Sequence, residues 1–228
     1  MCINKILRKL SCLKKNKLID STVHFTGKKY ISLGKNTMIS QNSWLNVNER
    51  GGIRIVLGDY DFIGRNNFFT SGKLIEFGDF VITSVNCSFI GANHKYDLPL
   101  IPYMFEPTET STIIHIGDNC FIGANVTLMG NVTIGYGCLI GVNTFIRNMS
   151  IPPFSVVVGH EKPKVIKRYS FFTNSWKKIE NWNDADERSI PSEIDYKTML
   201  YKQVSEKYGT EISLPLKAVG KSNGDLFY

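Results

Sequence analysis

Cysteine is scarce and scattered. Five occur in 228 residues, at Cys2, Cys12, Cys87, Cys120 and Cys138. Their number is odd and no CxxC pair exists, so neither a disulfide framework nor a cysteine-paired zinc site is indicated. A reducing cytoplasm is the expected compartment. No stretch approaches the roughly 18 uninterrupted apolar residues of a membrane span. Arg8, Lys9, Lys14 and Lys15 break up the N-terminal apolar residues, which argues against a secretory signal. Histidine is rarer still, with His24, His94, His115 and His160 widely separated. No pair has the short spacing of a metal site, so no metal is expected.

The chain has no broadly basic body either, although it carries a net charge of +7. Residues 1–20 hold six basic residues and one acid. Residues 21–159 hold nine of each and are neutral. Residues 160–178 hold six basic residues and one acid, and residues 179–228 hold six against nine. The charge belongs to two short segments, which excludes a nucleic-acid-binding face on the central body.

What is present is a repeat. Ile116, Ile122, Leu128, Ile134, Ile140 and Ile146 fall every six residues, with glycine following at Gly117, Gly123, Gly135 and Gly141. Weaker copies lie upstream as three trios: Leu33, Ile39, Leu45; Leu57, Ile63, Phe69; Phe77, Thr83, Phe89. A period of six is neither that of a helix nor that of a simple alternating strand. It suits a short strand plus a turn, with one aliphatic residue per hexad pointing inward. The next residue, often glycine, would take a conformation that a Cβ penalises. Three hexads make an 18-residue coil with three flat sides, and coils stack as parallel strands about 4.8 Å apart. Residues 31–159 read as a hexapeptide-repeat β-helix of roughly seven coils, and the domain is expected to run over 31–168. A parallel α/β protein is excluded because no helical periodicity lies between the strands.

The hexads stop between Phe89 and Ile116. Pro99, Pro102 and Pro107 prevent this stretch from continuing the coil strands. It must leave as a loop, expected over 93–113, and long loops in short-looped repeat proteins usually carry function.

Within that loop, Asn93-His94-x-x-Asp97 followed by Tyr103 and Phe105 resembles the catalytic loop of the hexapeptide-repeat acetyltransferases. The xenobiotic (streptogramin and chloramphenicol) acetyltransferases and the sugar O-acetyltransferases are the nearest groups. The block Ile116–Gly123 and the closing block Ile151–Gly159 are similar to the family's following and final coils. The resemblance implies a left-handed β-helix, acetyl-CoA as acyl donor, and a homotrimer with active sites between subunits. It implies His94 as general base, with Asn93, Tyr96, Asp97 and Tyr103 as acceptor contacts. Asn66 neighbours Gly64, the position where galactoside-type relatives carry an acceptor-binding Asn. For the donor it implies pantetheine contacts at Phe121, Ala124 and Val142, where Phe121 stands for the family's usual Trp. It implies nucleotide contacts at His160, Lys164 and Lys167. The exit Gly159-His160-Glu161-Lys162-Pro163-Lys164 is one residue longer than the family pattern.

The chemistry is consistent with these residues. Attack of a hydroxyl on a thioester needs a base that removes the hydroxyl proton, and histidine suits it, worth about 10²–10⁴ in rate. No covalent intermediate is required, and backbone N–H groups can hold the tetrahedral oxyanion. His24 and His115 have no motif and are expected at the surface.

Two ends flank the β-helix. Ile3, Ile6, Leu7, Leu10 and Leu13 lie at helical spacing opposite Lys5, Arg8 and Lys9. This basic amphipathic helix, in an N-terminal cap over 1–30, either covers the open end of the β-helix or rests on an anionic membrane surface. In the extension 169–228, Ser192-x-x-Asp195 is a capping box. Tyr196, Leu200, Val204 and Tyr208 then step at i+4 and Gly209 provides a stop, so a helix is expected near 192–208. The functional expectation is an acetyl-CoA-dependent O-acetyltransferase acting on a sugar hydroxyl in surface polysaccharide (capsule or O-antigen) assembly. The alternatives are a xenobiotic acetyltransferase, an amino-sugar N-acyltransferase and a non-catalytic β-helix scaffold. The expected site of action is the cytoplasm, with a peripheral contact at the inner face of the membrane left open.

Overall fold

A computed structural model describes residues 18–47, 51–180 and 189–208. The chain is mainly β and winds as a parallel solenoid of about seven turns, followed by one helix. Three sheets form the faces of a prism. The first face holds β1 (His24–Thr26), β4 (Trp44–Asn46), β7 (Phe68–Thr70), β10 (Ser88–Ile90), β15 (Thr127–Met129) and β18 (Phe145–Arg147). The second holds β2 (Ile31–Leu33), β5 (Ile55–Leu57), β8 (Leu74–Phe77), β13 (Ile113–Ile116), β16 (Val132–Ile134) and β19 (Ser150–Ile151). The third holds β3 (Met38–Ile39), β6 (Phe62–Ile63), β9 (Ile82–Thr83), β14 (Phe121–Ile122), β17 (Leu139–Ile140) and β20 (Ser155–Val158).

All pairings within these strands are parallel, and the hexad residues stack in register, Phe69 beside Phe89 beside Leu128 beside Ile146. The six residues from Ile116 to Ile146 are all fully buried. One inward residue per hexad is too few, however. Ile114, Cys120, Val126, Val132, Cys138 and Thr144 are buried as well, each two residues before its partner. Cys120, Val126, Cys138 and Thr144 stand at the ends of turns, just before β14, β15, β17 and β18, so the turn as well as the strand supplies an inward side chain.

The role expected of the repeat glycines also needs correction. Gly117, Gly123, Gly135 and Gly141 do not lie at positive φ. They are needed because the next coil passes too close: a Cβ on Gly117 would lie 2.6 Å from the Tyr136 backbone nitrogen, and one on Gly123 would lie 2.8 Å from the Ile140 carbonyl oxygen. The left-handed backbone falls two residues later, mostly on asparagine, at Asn119 (φ 53), Asn125 (φ 57) and Asn143 (φ 58). Asparagine tolerates it because its short side chain bonds locally.

The solenoid starts earlier than residue 31. β1 pairs with β4, and Ile19 bridges to Ile39 in parallel below it. At the other end the chain reverses. β21 (Lys164–Ser170) pairs antiparallel with β20, and β22 (Ser175–Lys178) pairs antiparallel with β21. The expected N-terminal helix over 3–13 and the Gly209 stop lie outside the described residues.

Residues 190–208 belong to a separate compact unit. It holds α1 (Glu193–Tyr208). The Asp195 backbone N–H donates to the Ser192 hydroxyl (3.2 Å), and Glu193 and Asp195 place acidic charge in the first turn. Both features stabilise a helix start.

Candidate functional site

One edge of the prism differs from the other two. Every extra residue in the solenoid falls between the first and second faces. A 3-10 turn at Lys28–Tyr30, Val47 and the stretch 51–54, Ser71–Lys73 and the segment 91–112 all lie there. The register shows their sizes: Ile31 pairs with Ile55, Ile55 with Ile75, and Ile75, through Ile114, with a strand 39 positions on. Above the long segment the same edge is tight, with only Gly130-Asn131 and then Asn148-Met149 between strands.

The long segment has a pinned neck. The Gly91 N–H donates to the Thr70 carbonyl (2.8 Å), the Lys73 N–H donates to the Thr112 carbonyl (2.8 Å), and the Thr112 hydroxyl donates to the Gly91 carbonyl. Gly72 allows this closure, since a Cβ there would strike Gly91 and Thr112. Beneath the neck, Phe69, Phe77 and Phe89 form a buried aromatic cluster with ring centroids 4.5–5.8 Å apart. Beyond the neck, β11 (Asn93–His94) and β12 (Thr108–Glu109) form an antiparallel ribbon, extended by the Lys95 N–H donating to the Pro107 carbonyl (3.0 Å). His94 thus stands on a two-stranded support rather than on free coil.

The ribbon and the tight corners above it enclose a cleft of about 360 Å³. Its loop side presents Asn93, His94, Lys95, Tyr96, Asp97 and Glu109, and its floor is made by Ile90, Met129, Gly130, Arg147 and Asn148. The His94 side chain is exposed to the cleft and makes no hydrogen bond with described residues, so it is available to a ligand. Asn93 Oδ1 accepts the His94 backbone N–H (3.0 Å) and is used locally. Glu109 accepts the Ser111 N–H (2.7 Å). The Ser111 side chain, then its backbone N–H, with some help from Lys95, hold the Glu109 carboxyl below its ordinary value.

Of the expected acceptor residues, Asn93, Tyr96 and Asp97 therefore share the cleft with His94, whereas Tyr103 and Asn66 do not line it. Tyr103 begins an exposed 3-10 turn, Tyr103–Phe105, further out on the loop. Asn66 sits at the edge between the third and first faces, where its Nδ2 donates to Asn86 Oδ1 (3.1 Å). That bond is the first rung of a ladder continuing through Asn125 to Asn143.

The expected donor residues gather elsewhere. Phe121 is exposed on the outer third face, between Ile82 and Leu139, which are also exposed. Ala124 and Val142 turn the edge between the third and first faces, and Val142 is 61% exposed. The His160 ring lies 5.8 Å from that of Phe145, at the top of the same edge. Lys164 and Lys167 are on β21, where Lys167 faces Lys178 across the ribbon and Arg168 faces Lys177. His24 packs edge-on against Trp44 at 5.7 Å, and His115 Nδ1 meets Glu76 Oε2 at 3.2 Å. Neither reaches the cleft.

Arg147, Glu109, Met129 and Lys178 were not anticipated. For Arg147 there was a usable signal. The residue after each inward hexad position is Gly117, Gly123, Met129, Gly135, Gly141 and Arg147, and a charge stands out in that series. Two of the three buried thiols are held protonated: burial pushes Cys87 up to about 11 and pushes Cys120 well above its ordinary value. Against its burial, hydrogen bonds from Cys120 and Ser155 hold Cys138 below its ordinary value, and none of the three lines the cleft. Among the described residues no group of three or more His, Cys, Asp or Glu side chains is placed to hold a metal ion.

Comparison with known proteins places this geometry. Residues 113–148 match the family model described as bacterial transferase hexapeptide (six repeats). A protein of Lysinibacillus sphaericus named "Probable macrolide acetyltransferase" is 31% identical over 147 residues, 56% of this chain and 79% of the relative. The chain belongs to the hexapeptide-repeat acetyltransferase family. A provisionally named lipopolysaccharide biosynthesis O-acetyl transferase of Escherichia coli K12 is 36% identical over 80 residues, 35% of this chain and 39% of that one. An acetyltransferase-named protein of Mycobacterium tuberculosis is 30% identical over 129 residues, 54% of this chain and 42% of that one. The chain spans about half or less of these last two relatives. Among solved structures, a hexapeptide-repeat acetyltransferase from Vibrio cholerae in complex with acetyl coenzyme A is 25% identical at a TM-score of 0.52, covering 63% of this chain and 74% of that one. An N-acyltransferase from Bacillus cereus, solved with dTDP and 3-hydroxybutyryl-CoA, shares the fold at 19% identity and a TM-score of 0.61, covering 86% and 95%. Among the described residues, no helix is long and apolar enough to cross a membrane.

Proposed function

We propose that the chain is an acetyl-CoA-dependent O-acetyltransferase of a sugar hydroxyl, acting in surface-polysaccharide assembly. The observation that carries the reading is His94, held on a ribbon over an open cleft rich in hydrogen-bonding side chains. A saccharide hydroxyl entering the cleft gives its proton to His94 as its oxygen bonds to the thioester carbonyl carbon. The C–S bond then breaks, the proton passes to the departing sulfur, and an acetyl ester and coenzyme A leave. Proton transfer of this kind is worth about 10²–10⁴ in rate. Asn93, Tyr96 and Asp97 orient the acceptor in this scheme.

The donor residues suit coenzyme A in kind. Phe121 and Val142 offer exposed apolar surface to a pantetheine arm, and Lys164, Lys167 and Lys178 offer charge to phosphates. They lie across the first face from the His94 cleft. We therefore place each active site between two subunits of a homotrimer of left-handed solenoids, one supplying the loop and its neighbour the donor edge. The exposed apolar residues of the loop, among them Leu98, Leu100, Met104 and Phe105, support such a contact. The reaction is assigned to the cytoplasm, in keeping with the free, buried Cys87, Cys120 and Cys138.

A second reading, acetylation of a macrolide-type antibiotic, is favoured by the Lysinibacillus relative. Purified chain, acetyl-CoA and a panel of saccharides, amino sugars and antibiotics separate the two, with released thiol and product mass as readouts. Acetyl esters on saccharides are expected. Transfer to an antibiotic or an amine with none to any sugar hydroxyl overturns the primary reading.

A further inference from the structure

We propose that Arg147 binds an anionic group on the acceptor, so that the cleft takes an acidic saccharide carrying a carboxylate or a phosphate. This rests on the reading of the His94 cleft as the acceptor site.

Arg147 ends β18. Its neighbour Ile146 is fully buried, so the guanidinium side chain faces outward. The outward column below it, in register, is Thr70, Ile90 and Met129. Ile90, Met129 and Arg147 of that column all line the cleft, and Arg147 is the one charged residue among them. The cleft's formal charges match, Lys95 and Arg147 against Asp97 and Glu109, but Arg147 has no direct ion-pair partner among the described residues. Glu109 is held by Ser111 and attracted by Lys95. Asn148 cannot serve as its acceptor partner in full, because Asn148 Oδ1 already takes the Asn131 N–H (2.9 Å).

The floor beside Arg147 is bare by construction. Gly130 has φ +78, and a Cβ there would collide with Asn148 Oδ1. Arg147 is exposed and lines the cleft, so an incoming group can reach it there. A neutral sugar offers only hydroxyl oxygens. A carboxylate or phosphate offers two oxygens to the planar fork, and such charge-assisted pairs are roughly twice as strong as neutral ones.

The test measures binding and transfer separately on the full chain. Glucose, glucuronic acid and glucose 1-phosphate are titrated by ligand-observed NMR without acetyl-CoA, then used as acceptors with it. At least one acid should bind more tightly than glucose, and comparing the two acids identifies the anion. Arg147→Gln should weaken the preferred acid roughly tenfold or more, bring its Kd to that of glucose, and leave Arg147→Lys between the two. Equal binding of glucose and both acids overturns the proposal. So does an Arg147→Gln variant that keeps the acid preference, or one whose KM rises for acetyl-CoA and not for the acid. If the acid binds through Arg147 but no acetyl transfer occurs, the proposal stands and the O-acetyltransferase reading falls. If neutral saccharides are acetylated with no acid preference, the reverse holds.

Discussion

Asn125 offers a measurable test of how the coil corners are held. It turns the edge between the third and first faces at φ 57. Its Oδ1 accepts from Asn86 Nδ2 (3.1 Å) and its Nδ2 donates to Asn143 Oδ1 (3.0 Å). Asn125→Ala removes both bonds and leaves a residue with no local hydrogen bond in a left-handed backbone. Both bonds are exposed and sit at the low end of the usual range, ~0.5 kcal/mol each. The backbone penalty is ~1 kcal/mol or somewhat more. The total is about 2 kcal/mol, a fall in Tm of about 4–8 °C for a chain of this size. Asn125→Gly loses the same two bonds and raises the entropy of the unfolded chain but relieves the backbone, so it should cost about 1 kcal/mol. Urea unfolding followed by far-UV circular dichroism, at constant m, ranks the three proteins. The expected order of midpoints is wild type, then Gly, then Ala. If Gly unfolds as early as Ala, the backbone argument is wrong, and if neither shifts, the ladder contributes nothing.

Three further outcomes follow from the same geometry. His94→Ala should lower kcat by about 10²–10⁴ in a thiol-release assay with little change in Tm, because His94 is exposed on its ribbon; a loss below about tenfold would remove it as the base. Burial holds the Asp61 carboxyl well above its ordinary value, although the Val81 and Gly58 N–H groups pull it back. The folded state thus binds this proton more tightly than the unfolded chain. Asp61 contributes its full stability below about pH 4 and loses it as pH rises through the folded value. The stability of wild type relative to Asp61→Asn should decline as pH rises from 4, and a gap that widens instead contradicts the assignment. Lys167→Glu should raise the KM for acetyl-CoA by about tenfold at low ionic strength and by less in high salt; an unchanged KM removes β21 from the phosphate site.

The core was legible because burial repeats at fixed spacing. Each of Ile116 to Ile146 was placed inward from sequence and is fully buried. The trios also carried more than they were read to carry. Leu33, Ile39 and Leu45 stand on the second, third and first faces in turn, and the run of hexads is interrupted after each trio at the same edge. The first coil escaped because its strands are short and its first-to-second turn is a 3-10 segment. The ribbons β11–β12 and β20–β22 escaped for another reason. Antiparallel pairing is decided by which strand lies alongside, and no local pattern records that for a two-residue strand such as Asn93–His94. The site was legible to the same extent. His94 and Asp97 came from a local motif, whereas Arg147 joins them only because the loop meets two corners 36 and 54 positions further on, at Gly130 and Asn148.

The placement of insertions then explains the placement of the site. At the edge between the third and first faces, glycines such as Gly123 touch the backbone of the next coil, and the asparagine ladder fixes every level. An added residue there would break both. Among the described residues, the edge between the first and second faces shows no such ladder below the loop, and it accepts turns of different lengths. Loop closure entropy grows only slowly with length, so a 20-residue excursion costs little more than a short one once its neck is pinned. Gly72, Gly91 and Thr112 provide that pin. The loop needs only one further property, a rigid surface to fold over, and the tight corners of the next two coils supply it. His94 comes from the permissive level and the cleft floor from the strict ones. This division lets the loop change without disturbing the stack that holds the floor in place.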